Sequence, residues 1–261
     1  MLLEKKTAVV YGAGAIGTAV AQAFAREGAA VFLAGRRLAA AEVAAESVRE
    51  AGSGAVHAAE LDVRDERAVE EHADSVLQAT GRIDVSFNAV GHDHFQGIAI
   101  ADLSPRQFVD PLTERMLGQF LTARAAARRM SDQGSGVIIM ITATPARMAI
   151  PLMASFAPAC AAMEALARTL AAEVGPRGVR VVCLRSAGSP ESPGLQLAFE
   201  AQATTLGTTA AQIQQSIEDE IMLRRMPSLR EVADMAAVMA SDRASAMTAT
   251  VVNLTAGSIA D

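Results

Sequence analysis

Two stretches of the chain carry residues whose type and spacing suit chemistry. The first is Gly12-Ala13-Gly14-Ala15-Ile16-Gly17, which follows the run Thr7–Val10 and opens an Ala-rich segment. A glycine at position 12 permits a tight turn, and one at position 14 lets the backbone approach a pyrophosphate. Gly17 lets the following helix pack on the strand, and the free N–H groups at that helix's start attract an anion. Any strand-to-helix turn favours glycine, so the motif takes its meaning from its place in the chain. That place predicts a dinucleotide phosphate site at Gly12, Gly14, Ile16 and Gly17.

The second stretch is His92-Asp93-His94, just after the apolar run Ile83–Asn88. Imidazole is the natural proton donor near neutral pH, and the adjacent carboxylate raises its pKa. His92 and His94 are therefore candidate acids, against the plainer reading of a polar surface loop. Thr142 is a third candidate, as a hydrogen-bond donor to a substrate oxygen, against simple packing at a strand end. No metal site is expected, because the rings of an extended His-x-His point apart and no third ligand is evident. Cys160 has no visible base and reads as a small core residue.

Cofactor choice is read at the end of the second strand, in Leu33-Ala34-Gly35-Arg36-Arg37. An NAD site usually places an Asp or Glu there for the ribose 2′-hydroxyl. Nothing acidic occurs between Ala29 and Ala41. Two guanidiniums suit a 2′-phosphate, so Arg36 and Arg37 favour NADP(H), with NAD(H) as the alternative. The plainer reading of the pair is a solvated basic loop.

These residues need elements to hold them. Strands are expected at Thr7–Val10, Ala30–Ala34, Val56–Leu61, Ile83–Asn88, Val137–Thr142, Val179–Leu184 and Val251–Leu254. Helical periodicity fills Leu38–Ala51, Glu66–Ala79, Thr113–Met130 and Ala159–Val174. Near-continuous apolar strands alternating with helices predict an α/β fold, a Rossmann-type doubly wound parallel sheet of about seven strands. One domain spanning residues 1–261 is expected. Arg185–Thr209 reads as irregular and leads into a polar helix at Ala210–Ile221, so a flap is expected around 185–222.

Composition excludes several classes. The 261 residues are 51% hydrophobic and 20% charged, ample for a large core and unlike a disordered chain. A net charge of −6 and 3% aromatic residues argue against a nucleic-acid partner. Two cysteines make no disulfide framework, and glycines interrupt the uncharged run Thr7–Ala25, so a soluble cytoplasmic protein without membrane association is expected.

Over nearly its whole length the chain resembles the short-chain dehydrogenase/reductase family. Leu61-Asp62-Val63 looks like that family's adenine-contacting segment, and Asn88-Ala89-Val90-Gly91 is similar to its Asn-Ala-x-Gly element. The resemblance implies that Asp62, Val63, Asn88 and Gly91 belong to the cofactor site. Arg224-Arg225-Met226-Pro227 and Val251 to Gly257 are similar to its C-terminal helix and last strand. It implies a homodimer or homotetramer, which the apolar arcs of Thr113–Met130 and Ala159–Val174 also suit. The glycine turn is one residue shorter than the family's usual Gly-x-x-x-Gly-x-Gly.

The family's catalytic Asn, Ser, Tyr and Lys are not retained. The alignment puts Arg115 at the Asn position, Ala143 at the Ser, Phe156 at the Tyr and Cys160 at the Lys. The only tyrosine is Tyr11 and the only lysines are Lys5 and Lys6, so no shift of register restores the pair. Losing a positioned acid removes roughly 10²- to 10⁴-fold in rate. Pro158 requires the helix there to begin near Ser155–Ala157 or to kink. Two readings stay open. One is an oxidoreductase with a non-standard site, acting on a carbonyl or activated double bond. The other is an inactive relative that binds nucleotide as a sensor or assembly partner.

Overall fold

The structure, a computed structural model, describes residues 1–52, 54–91 and 95–260. The strands β1 (Thr7–Tyr11), β2 (Ala30–Gly35), β3 (Val56–Glu60), β4 (Val85–Asn88), β5 (Gly136–Ala143), β6 (Val179–Ser186) and β7 (Thr250–Leu254) form one sheet. Their order is β3-β2-β1-β4-β5-β6-β7, and every neighbouring pair is parallel. The expected architecture is the one observed, and each expected strand lies within a residue or two of its place.

Helices cover both faces, as right-handed crossovers between parallel strands require. On one face α1 (Ala15–Arg26), α2 (Leu38–Ala51) and α8 (Leu229–Ala240) bury Val20, Phe24, Val48 and Val232 against Val10, Leu33 and Phe87. On the other α3 (Glu66–Thr80), α4 (Pro105–Gln133) and α5 (Phe156–Val174) bury Val69, Leu121, Met130 and Met163 against Val9, Ile138 and Cys183. Successive strand residues alternate between the two cores, which is why the strands read as unbroken apolar runs.

Local chemistry sets the helix ends. Ser104 caps α4 in a capping box with Gln107, with Pro105 in the first turn, and Gly134 closes it in a left-handed conformation. This helix is longer than the expected Thr113–Met130 and contains Pro111. The helix α5 begins at Phe156, so Pro158 sits in its first turn, where a missing N–H is harmless.

One expectation needs correction. Within the stretch read as irregular, Pro193–Leu206 is a helix, α6, followed by α7 (Ala210–Glu220). Its polar and small residues concealed the boundaries that Pro193 at the start and left-handed Gly207 at the end supply. Phe199, Ile221 and Met226 form a separate small core under these helices. The pair is tied to the loop after β4 by Gln202 Nε2 donating to Gln96 Oε1 at 3.0 Å and by Thr205 Oγ1 donating to the Gly97 carbonyl. Among the described residues no helix is long and apolar enough to cross a membrane.

Candidate functional site

The carboxyl ends of β1, β4, β5 and β6 converge where the strand order reverses, between β1 and β4. There Gly12 adopts φ +107°, and a Cβ on it would lie 2.9 Å from the Ala89 backbone. A Cβ on Gly17 would lie 1.7 Å from the Gly12 carbonyl oxygen. Both glycines are thus required by the turn itself. Gly14 differs: a Cβ there would meet nothing within 4 Å. It stands at the start of α1 without a side-chain cap, where the first backbone N–H groups lack intrahelical partners. A groove of about 700 Å³ runs from Ala13, Gly14 and Ala15 over α1 and α2 to Arg230 of α8. Ile16 is half-buried and packs on the core beneath.

At the end of β2, Arg36 and Arg37 are both exposed. Sequence reading found no acid in this segment, but the sheet supplies one: Glu60 pairs in register with Gly35. Its Oε2 accepts from Leu38 N at 3.2 Å, filling the cap position at the start of α2. The signal was present as the final residue of β3 and needed the strand pairing to be seen. Asp62 is gripped by Arg64, with Nη2–Oδ2 at 2.7 Å and the Arg64 backbone N–H donating to Oδ1 at 3.0 Å. That hydrogen bonding holds the Asp62 carboxyl down at about 2. Val63 is buried beside it.

The Asn88 side chain is taken up within the protein. Its Nδ2 donates to Thr122 Oγ1 at 2.8 Å and to the Gly118 carbonyl at 3.3 Å, while its Oδ1 accepts from Val90 N at 2.9 Å. The side chain clamps α4 to the end of β4 and so fixes where Arg115, one turn earlier, must sit. Gly91 is exposed at the start of the following loop. His92 and His94 lie outside the described residues.

The four aligned positions do gather. The Arg115 guanidinium lies over the Phe156 ring at 5.1 Å from its centroid, and its Nε donates to Met163 Sδ at 3.3 Å. Cys160, one turn after Phe156, is completely buried, with its sulfur beside the Ala143 backbone and within electrostatic reach of Arg115. Burial pushes the Cys160 thiol up, so it stays neutral and is neither a nucleophile nor a fixed cation. Burial also pushes the Arg115 guanidinium down, though arginine remains charged at any working pH.

Tyr11 is buried on the α3–α4 side of the sheet, its ring edge-on to His72 at 5.9 Å. Burial raises its hydroxyl pKa far above the usual tyrosine value, removing it as an acid. Thr142 donates its hydroxyl to Glu164 Oε1 at 3.1 Å in the core beneath α5. Glu164 in turn holds Arg185 in two hydrogen bonds of 2.8 Å. Sequence reading passed over this pair, although a charge at the end of the apolar run Val179–Leu184 was visible.

A family described as Enoyl-(Acyl carrier protein) reductase matches residues 12–258. The chain belongs to the short-chain dehydrogenase/reductase family of oxidoreductases. It is 29% identical over 257 residues to an uncharacterized oxidoreductase of Methylorubrum extorquens, covering 98% of each chain. It is 30% identical to the short-chain dehydrogenase RED2 of Pyricularia oryzae, covering 92% of this chain and 91% of that one. Among solved structures, NAD+-bound xylitol dehydrogenase superposes with a TM-score of 0.91 at 26% identity, covering 97% of this chain and 99% of that one.

Proposed function

We propose that this member of the family is an oxidoreductase that grips a nicotinamide dinucleotide, NADP(H) in preference to NAD(H), and acts on a carbonyl or activated double bond without a tyrosine acid. The observation that carries the reading is the open space at Gly14, in front of an uncapped helix start. The superposition on a xylitol dehydrogenase solved with NAD+ supports the same ligand class. Backbone N–H groups at Gly14, Ala15 and Ile16 would hold the pyrophosphate. Asp62 and Val63 border the adenine side, and Gly12, Gly17 and Asn88 keep the cradle in shape. Arg36 and Arg37 carry the preference for a 2′-phosphate, since the Glu60 carboxylate already accepts from Leu38 N.

Bound there, the dinucleotide supplies the hydride, and the protein's task is to place an acceptor against it. A proton comes from His92 or His94, from water, or from a hydroxyl on the substrate. One domain holds the whole site, with α6 and α7 forming its flap. Exposed Val109, Leu117 and Phe120 on α4 support a homodimer or homotetramer, to be read from sedimentation. A cytoplasmic location goes with the two free buried cysteines.

A second reading has its own observation. At the aligned reacting positions stand a methyl, a phenyl and a neutral thiol at Ala143, Phe156 and Cys160, which suits an inactive nucleotide sensor or assembly partner. Fluorescence titration with NADPH and NADH, followed by nicotinamide absorbance with a panel of ketones, quinones and enones, separates the two. Turnover supports the enzyme. NADPH binding without turnover supports the sensor, and no binding of either dinucleotide removes both.

A further inference from the structure

We infer that Arg115 is an anion anchor in the substrate cleft, and that the substrate carries a carboxylate close to its reacting carbon. This rests on the oxidoreductase reading above and names the substrate class of that same cleft.

The inference starts from how the other inward-placed arginines are satisfied. Arg185 is matched to Glu164, Arg129 to Glu70 and Asp74, and Arg180 to the carbonyls of Met239, Ser241 and Met247. Arg115 is half-buried between α4 and α5, yet among the described residues its one hydrogen-bond acceptor is a thioether sulfur. Its other neighbours are an aromatic face and a neutral thiol. A partly desolvated guanidinium without an oxygen acceptor is costly, so a charge left in this state is matched by something that arrives.

Geometry says what arrives. The Phe156 ring and Met163 sulfur fix the plane of the guanidinium, and a fixed planar fork selects carboxylate over a simple carbonyl through paired hydrogen bonds. Arg115 sits one turn before Gly118, whose carbonyl is tied to Asn88 at the end of β4. The fork is therefore held at the carboxyl edge of the sheet, where ligands of doubly wound folds bind. With no acid at Ala143, Phe156 or Cys160, a cation there also offsets negative charge developing on an oxygen close to the carboxylate.

The test is calorimetric titration of acetoacetate and 4-oxopentanoate, each against its methyl ester, with and without saturating NADPH. Wild-type protein is expected to bind at least one acid roughly tenfold or more tightly than its ester. Arg115→Met should abolish that difference, and Arg115→Lys should keep part of it, because a point charge survives without the fork. NADPH affinity of both variants, measured by fluorescence, should match wild type and shows that they fold. Equal binding of acid and ester, no binding of either acid, or an acid preference surviving in Arg115→Met would overturn the proposal. Running each arm without NADPH keeps a lost dinucleotide site distinguishable from a missing anion site.

Discussion

Arg185 of β6 and Glu164 of α5 form a two-point ion pair buried to within a few per cent, with Nε–Oε1 and Nη2–Oε2 both at 2.8 Å. Thr142 adds a third hydrogen bond to the same carboxylate. Removing the arginine leaves the Glu164 carboxylate as an uncompensated buried charge. Arg185→Met alone should therefore destabilise the fold by about 3–5 kcal/mol. Replacing both residues with Met and Leu should recover most of that loss. Denaturant unfolding of the single and the double variant measures it, and a single that unfolds like wild type would refute the burial argument.

The lone tyrosine is a natural suspect for the missing acid, and its position acquits it. Tyr11→Phe should leave NADPH affinity unchanged and any turnover intact, because the hydroxyl is buried beside His72 on the α3–α4 side of the sheet. A loss of turnover with unaltered cofactor binding would contradict this placement.

His72 gives stability a pH dependence. Burial lowers its pKa from 6.5 to about 4, and its Nδ1 has no partner. Between those values the unfolded chain binds the proton and the folded one does not. Stability contributed by neutral His72 is thus complete above pH 6.5 and lost as pH falls toward 4, by about 3 kcal/mol at most. His72→Gln should flatten this part of the profile of thermal midpoint against pH. An equal acid decline in wild type and variant would exclude His72 as its source.

Arg36→Ala should weaken NADPH far more than NADH, since only the former carries a 2′-phosphate for the guanidinium. Glu60→Gln should improve NADPH relative to NADH by removing a carboxylate near the same position. Equal effects on both dinucleotides, read by fluorescence titration, would end the 2′-phosphate assignment.

The fold was legible because β-branched apolar runs and glycine punctuation are local signals, and a parallel sheet buried on both faces amplifies them. Pro158 likewise announced the start of α5. The helix within 185–209 was missed because α6 has no strong apolar stripe, its inner face resting on a small core of Phe199, Ile221 and Met226. In the candidate site, spacing alone marks Gly12 and Gly17 as turn residues, as their close backbone contacts require. Glu60 carries no such mark, because it reaches the end of β2 through strand pairing rather than sequence proximity. Thr142 and Asn88 are engaged by Glu164 and Thr122, partners that only the folded chain brings beside them. Arg115 was identified only as a substitution at an aligned position; its want of an oxygen partner is a three-dimensional fact.

The central claim is that the phosphate grip survives where the usual proton-handling groups have been replaced, and Gly14 tests it most directly. A Cβ there meets no heavy atom within 4 Å, so Gly14→Leu should fold with a thermal midpoint close to wild type. By filling the space assigned to the pyrophosphate, it should weaken NADPH by roughly tenfold or more in a fluorescence titration. NADPH bound equally well by wild type and Gly14→Leu, or by neither, would contradict the account.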